Sequence, residues 1–354
     1  MENDFQPIDE IGREGLIDKL LAFESYSHPD VIKGPGDDAA VFEISEEKIA
    51  LLSSEQFTEG IDFDLTYVPL RHLGYKIVSN TLSDIYAMNC LPTGVTVNLA
   101  LPNKISVQMA ESLYEGIYAA GHDFQVQLVG GDVNASHQVL SISCSVYGKG
   151  EKKQLTYRSG SSVDDAICVT GDVGAALAGL RILMREKQVW QEHQNEEVQP
   201  DLSEYEFVVR KQLVPKARHD IIDLFHRHEL VPSSMIDVTK GLLHELYQLT
   251  SKGKVGAYLY EQALPVAVET RQVADEMEED VDKYALYGGE DLELVFTMPE
   301  NDIERLAKIS KDFAVVGKIT SQEEGLQMQR ADGNVVEFEI GEHKSDDSSS
   351  GGES

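Results

Sequence analysis

The spacing of apolar positions divides the chain into short strands and helices that alternate from end to end. In residues 7–25 (PIDEIGREGLIDKLLAFES), Ile11, Leu16, Leu20 and Leu21 recur at helical intervals. A loop containing Gly34, Pro35 and Gly36 leads into AAVFEI, which reads as a strand, and KIALLSS (48–54) reads as a second. Residues 69–89 (PLRHLGYKIVSNTLSDIYAMN) predict a helix or two, with Asp84 in the middle. VTVNLALP (95–102) predicts a strand stopped by Pro102. Residues 106–121 predict an amphipathic helix with Met109, Leu113, Ile117 and Tyr118 on one side. VQLVGGD (126–132) reads as a strand running into a turn, and VLSISCSVYG (139–148) as another strand.

The pattern restarts with a strand, AICVTG (166–171), and a glycine turn, G-D-V-G (171–174), that opens the helix AALAGLRILMREK. Residues 188–204 are polar and predict a surface connection. Helical spacing returns at 205–213, 216–229 and 240–252. VGAYLY (255–260) predicts a strand, an acidic segment follows, and DLELVFT (291–297) predicts a strand with Leu292, Leu294 and Phe296 on one face. IERLAKISKDF predicts a helix and AVVGKIT a strand. The end of the chain, SDDSSSGGES, has a low-complexity, disordered composition. Both halves mix strands and helices, so the expected fold class is α/β (α+β) in two domains. The expected spans are 1–150 and 151–343, with a tail at 344–354.

The 354 residues suffice for two domains, and an apolar share of 42% supplies cores for both. There is no run of 18 apolar residues and no signal-peptide pattern at Met1–Asp4, which predicts a soluble, cytoplasmic protein. Cys90, Cys144 and Cys168 are far apart and read as buried free thiols. The formal net charge of −32 argues against nucleic acid and anionic membrane as partners. It does not argue against ATP whose phosphates are masked by Mg²⁺. Most of the excess reads as solvated surface, for example 275–282 (DEMEEDVD).

Some carboxylates are placed differently. G-D-D at 36–38, S-D-I at 83–85, G-G-D at 130–132 and D-V-T-K-G at 237–241 stand at the ends of apolar runs, most beside glycine. Carboxylates at element ends can converge on one hard cation, and that arrangement suits Mg²⁺ with a polyphosphate. Phosphoryl transfer is therefore the first functional expectation. No P-loop is present, since G-K-I-T at 317–320 has the wrong spacing, and there is no H-R-D or D-F-G set. A nucleotide would be held through metal ions, backbone amides of glycine turns and an arginine.

The ordered series G-D-D-A-A-V-F, S-S-E-Q-F-T-E-G-I-D-F, L-G-Y-K, S-D-I-Y-A-M, G-G-D, Y-R-S-G, V-T-G-D-V-G, I-D-V-T-K-G-L and G-G-E-D-L-E-L-V-F-T resembles the thiamine-monophosphate kinases of the PurM-like superfamily. The resemblance runs in register from Gly36 to Gly317. It implies a PurM-like architecture of mixed sheets with flanking helices, a homodimer built through the N-terminal halves, and a site between the domains. It implies transfer of the γ-phosphoryl of ATP directly onto thiamine monophosphate, with several Mg²⁺ ions and no phosphoenzyme. Metal-ligand positions implied are Asp38, Ser53, Ser54, Glu55, Asp84, Asp132 and Asp237. ATP positions are Gly131, Asp132, Arg158 and Thr239, and substrate positions are Asp62 and Glu290. No catalytic acid or base is assigned.

The chain departs from the family pattern in places. Glu55 stands where an aspartate is usual, Asp62 where a histidine is usual, and Lys240 where an acidic metal ligand is usual. The family's C-terminal aromatic is not evident around 341–344. A second reading is thus a PurM-like dimer that binds nucleotide without turnover. A third is another superfamily ATPase, although no reactive cysteine precedes Gly36 and none lies at the C-terminus.

Overall fold

The computed structural model describes residues 6–23, 26–192 and 202–338. The tail at 344–354 and most of the connection at 188–204 therefore lie outside the described residues. In the first half, α1 (Gly12–Leu21), β1 (Val31–Lys33), β2 (Ala40–Glu43) and β3 (Lys48–Thr58) precede α2 (Leu70–Ala87). Then come β4 (Leu91–Leu101), α3 (Val107–Asp123), β5 (Gln127–Ala135) and β6 (Ser141–Glu151). The second half begins with β7 (Ala166–Thr170), α4 (Ala175–Glu192), α5 (Glu206–Leu213) and α6 (His219–His228). It continues through β8 (Ser234–Asp237), α7 (Leu242–Gly253), β9 (Gly256–Tyr260), α8 (Val268–Glu276) and α9 (Val281–Tyr287). It closes with β10 (Leu294–Met298), α10 (Glu300–Ile309), β11 (Phe313–Thr320), β12 (Leu326–Gln329) and β13 (Val335–Phe338).

The first sheet has the order β1-β2-β3-β6-β4-β5. Along β3, Ile49, Leu51, Ser53, Glu55 and Phe57 alternate with Leu52, Ser54 and Gln56, which are exposed. The first set faces α2. Every residue of α2 from Leu73 to Ala87 is buried, which is why this stretch shows no clean helical period. It is one helix, and Asp84 lies in its last turn rather than in its middle.

Helix α3 packs across α2 on a glycine pair. A Cβ on Gly74 would lie 2.0 Å from the Leu113 carbonyl oxygen, and one on Gly116 1.8 Å from that of Arg71. The two backbones touch because neither glycine carries a side chain. Leu113 and Ile117 face α2 as the spacing predicts, whereas Tyr118 is exposed.

The second sheet runs β13-β12-β9-β11-β7-β10-β8, with β12 parallel to β9 and the other pairs antiparallel. Its edge strand β8 brings Asp237 against α2. One hydrophobic cluster joins Ile49, Leu82 and Ile85 to Met235, Phe225 and Phe296, so α2 serves both sheets.

Several expectations need correction. G-G-D at 130–132 is not a turn but lies inside β5, paired with Val97 and Asn98. The stretch 291–297 is a strand only from Leu294, where both faces are buried, because Leu292 has φ +54° and the chain turns there. The acidic segment before it contains α8 and α9. Helix α4 continues to Glu192, five residues past its expected end. Helix α1 buries none of its residues, so its apolar spacing marks a helix without a covered face. The three cysteines are free and buried. No helix among the described residues is long and apolar enough to cross a membrane.

Candidate active site

Three elements from distant parts of the chain deliver one carboxylate each to the same point. Gly36, at φ +106°, turns the chain so that Asp38 enters the interior ahead of β2. Asp84 comes from the last turn of α2, and Asp237 from the end of β8. One oxygen from each lies within 4.8 Å of the others, and all three residues are buried.

The neighbours differ in what they satisfy. Arg158 binds Asp38 through two bonds, Nη2 to Oδ1 at 2.6 Å and Nε to Oδ2 at 3.2 Å. The amides of Arg158 and Asp38 both donate to Asp37 Oδ1. Ser53 Oγ donates to Asp84 Oδ2 at 2.5 Å. Asp237 Oδ2 is buried without a well-aligned donor, the Ser83 hydroxyl being the nearest group that bears on this carboxylate.

The electrostatics follow from that list. Burial, then repulsion from Asp237 and Glu55, pushes Asp84 well above the ordinary carboxylate range. Burial, then Asp38, does the same to Asp237. Burial and the Asp38 charge raise Asp37 to about 6. Burial opposes the charge on Arg158, but Asp38 outweighs it and holds the guanidinium above its ordinary value. One arginine cannot neutralise this many acids, and an oxygen-seeking divalent cation would.

These raised values set a pH dependence. A carboxyl raised by folding stabilises the protein fully below its unfolded value near 4. That stability is lost as pH rises through the folded value. For Asp37 the window is about 4 to 6, and for Glu245, raised to about 7 chiefly by burial, it extends to about 7. The metal-free protein is expected to melt several degrees lower at pH 8 than at pH 6, with MgCl₂ restoring more stability at pH 8. Melting curves at both pH values with and without Mg²⁺ check this; equal restoration at both would contradict it.

The other positions singled out in the sequence fall around this centre or away from it. Ser54 points to the opposite face of β3 from Ser53 and touches Ser145 Oγ at 2.9 Å. Glu55 shares the inner face with Ser53. Burial raises its carboxyl, Lys240 and Arg13 oppose that, and Asp62 adds to it. Asp62 itself accepts the Thr58 amide at 2.7 Å and so closes the loop after β3.

Asp132 lies on β5 opposite Asn98, on the exposed face of the sheet, and accepts from Asn134 at 3.0 Å. Neither it nor Gly131 joins the carboxylate trio. Thr239 and Lys240 form a loop wrapped on Glu245, which accepts both amides at 3.3 and 2.8 Å. Gly241, at φ +112°, completes the turn into α7.

Glu290 stands farther along α2. It receives Lys76 Nζ at 2.7 Å and Gln212 Nε2 at 3.2 Å, and Lys76 also donates to the Gln212 carbonyl at 3.0 Å. Lys76 entered the sequence reading only as the last residue of L-G-Y-K, with no role assigned, and Gln212 and Glu245 were not singled out. A lysine inside the apolar run of α2 was the available signal for the first. Lys76 and Asp84 are about two turns apart on α2, so this helix carries a contact to the trio near its end and one to Glu290 nearer its start.

Comparison with known proteins agrees with this architecture. Residues 36–149 match the family model described as AIR synthase related protein, N-terminal domain. The chain is 30% identical over 295 residues to a thiamine-monophosphate kinase of Aquifex aeolicus, covering 83% of this chain and 88% of that one. It is 30% identical over 339 residues to the Salmonella typhimurium enzyme of the same name, covering 93% and 96%. The fold matches a solved structure described as AaThiL complexed with AMPPCP and TMP. The TM-score there is 0.79 at 27% identity, over 95% of this chain and 98% of that one. With this PurM-like fold and likeness over most of its length, the chain belongs to the thiamine-monophosphate kinase family.

Proposed function

We propose that this protein transfers the γ-phosphoryl group of ATP to thiamine monophosphate, giving thiamine diphosphate and ADP in the cytoplasm. The observation that carries the site assignment is the buried trio Asp38, Asp84 and Asp237, in which Asp237 Oδ2 has no well-aligned donor. Three buried carboxylates with a poorly satisfied acceptor and one arginine fit Mg²⁺, a hard cation that takes oxygen ligands. Asp38, Asp84 and Asp237 would hold it. When bound, it would spread the negative charge that builds on the transferring group and orient the two phosphate chains.

The chain's own residues do the rest. Arg158, anchored on Asp38, places a fixed positive charge at the edge of the trio. Lys240 adds a second one near Glu55. Glu290, held by Lys76 and Gln212, presents an acidic wall suited to the cationic thiazolium half of the substrate. The acceptor is a phosphate, already ionised at neutral pH, so no side chain needs to remove a proton from it. That accounts for a site rich in carboxylates.

We further propose two PurM-like domains, 1–150 and 151–343, and a homodimer formed through the N-terminal halves. Edge strand β5 exposes Val129 and Val133 and has a free side, which favours pairing with a second copy.

Purified protein with MgATP and thiamine monophosphate is expected to form thiamine diphosphate. No product above a protein-free blank at micromolar enzyme would defeat the kinase reading, and retained nucleotide binding would then favour the non-catalytic one. Lys240→Asp is expected to shift the Mg²⁺ concentration for half-maximal rate several-fold, because it replaces a fixed cation with a potential ligand. An unchanged Mg²⁺ dependence would remove Lys240 from the site.

A further inference from the structure

A cavity of about 570 Å³ opens between the 207–220 segment and the ends of β7, β10 and β11. None of Asp38, Asp84, Asp237, Arg158 or Glu290 lines it. Its size falls in the range of sites for small organic ligands. Gln212 and Ala217, at either end of one loop, bond to α2 through Lys76 and Ser79. The flanking side chains of Lys211 and Arg218 turn instead to Glu293. The cavity and the carboxylate trio are therefore separate places joined by one short segment.

Donors and acceptors in the cavity divide into satisfied and unsatisfied groups. Glu293, 3% exposed, receives Arg218 at 2.6 Å, Lys211 at 3.1 Å and Thr170 Oγ1 at 2.7 Å. Arg218 also binds Asp220 and Asp312. Asp291 accepts the amides of Gly174 and Ala176. These groups complete one another and leave nothing for a ligand.

Four groups are left. Asp172 Oδ1 is buried without a hydrogen-bond partner, while its other oxygen holds Lys211 at 2.9 Å. His219 Nδ1 is likewise buried and unpartnered. Arg210 and Lys216 line the cavity and are exposed, and neither forms an ion pair among the described residues. Phe207, Val214 and Pro215 supply an apolar wall.

The complement of this set carries both signs. Arg210 and Lys216 call for an anionic group, and the part-exposed side of Asp172, where Lys211 is the one donor, can take a charged N–H. A free anion alone is disfavoured, because Asp172, Asp220, Glu293 and Asp312 stand in the same wall and the whole chain carries −32. We propose that this cavity is a binding site for a small zwitterion. Such a ligand carries an ammonium group at one end, taken by Asp172, and a phosphate or carboxylate at the other, taken by Arg210 and Lys216.

The test uses O-phosphoethanolamine as probe, with inorganic phosphate and ethylammonium as its two halves. Calorimetric titration of the full chain without ATP or thiamine monophosphate is expected to show binding of O-phosphoethanolamine at about millimolar strength. Phosphate and ethylammonium should each bind at least tenfold more weakly. The Arg210→Ala/Lys216→Ala double variant changes exposed side chains and keeps the fold, and Asp172→Asn keeps the side-chain shape. Each should weaken the probe tenfold or more. The proposal is overturned if the probe does not bind up to about 10 mM, if phosphate alone binds as well, or if both variants bind it as the parent does. The first outcome leaves the cavity unoccupied by zwitterions, and the second makes it a simple anion site.

Discussion

Asp84→Asn is expected to abolish turnover, by a thousandfold or more, while making the metal-free protein more stable. Both effects have one cause. Asp84 is fully buried beside Asp237 and Glu55, and its charge is opposed by desolvation first and by those neighbours second. Asparagine keeps the shape and can still accept from Ser53. It removes a carboxyl whose charge burial and its neighbours oppose, so the apo protein should melt higher at pH 8. The same change removes a ligand from the proposed cation site, and loss of metal-assisted charge stabilisation costs several kcal/mol in the transition state. The decisive measurement is a pair of melting curves with and without Mg²⁺, alongside the rate. A variant that loses activity but keeps the full Mg²⁺-induced stabilisation would show that Asp84 does not hold the cation.

Gly116→Ala is expected to lower stability by about 3 kcal/mol, against the direction that helix propensity predicts. In an exposed helix interior this replacement gains about 1 kcal/mol. Here the new methyl group would meet the Arg71 carbonyl oxygen at 1.8 Å, with the Tyr75 amide nitrogen at 2.9 Å. The obstacle is backbone, so no rotamer change relieves it and α2 must move away from α3. Because α2 also carries Asp84 and Lys76, activity should fall with stability. Gly34→Ala provides the control, since nothing lies within 4 Å of a Cβ there. Equal melting temperatures for the two variants would sink the close-contact account.

These cases show what could and could not be read along the chain. Helix α3 has one buried face, and its period of Leu113 and Ile117 was legible. Helix α2 is buried all round, so its boundaries and the depth of Asp84 were not. Strand β8 is four residues long, too short for a period, yet it delivers Asp237. The alternation of β3 would have separated Ser53 from Ser54, because consecutive strand residues face opposite ways. Motif spacing alone treats them alike. The Lys76–Glu290 pair joins residues 214 positions apart, and local sequence carries no trace of such a partner. The same holds for the cavity beside the 207–220 segment, whose charged wall is assembled from four separate segments.

The distribution of the trio along the chain has a bearing on synthesis. Asp38 and Asp84 leave the ribosome long before Asp237, and Arg158, the counter-ion of Asp38, also emerges later. At about 5–20 residues per second, the interval between Asp84 and Asp237 is on the order of ten seconds. During it the nascent chain holds two of the acids without the third, and for about the first half of it without the arginine. The N-terminal sheet must therefore fold with those carboxylates solvated or protonated, and the cation site closes only when β8 docks on α2. An organism that limits Mg²⁺ would then affect the last step of folding as well as the reaction rate.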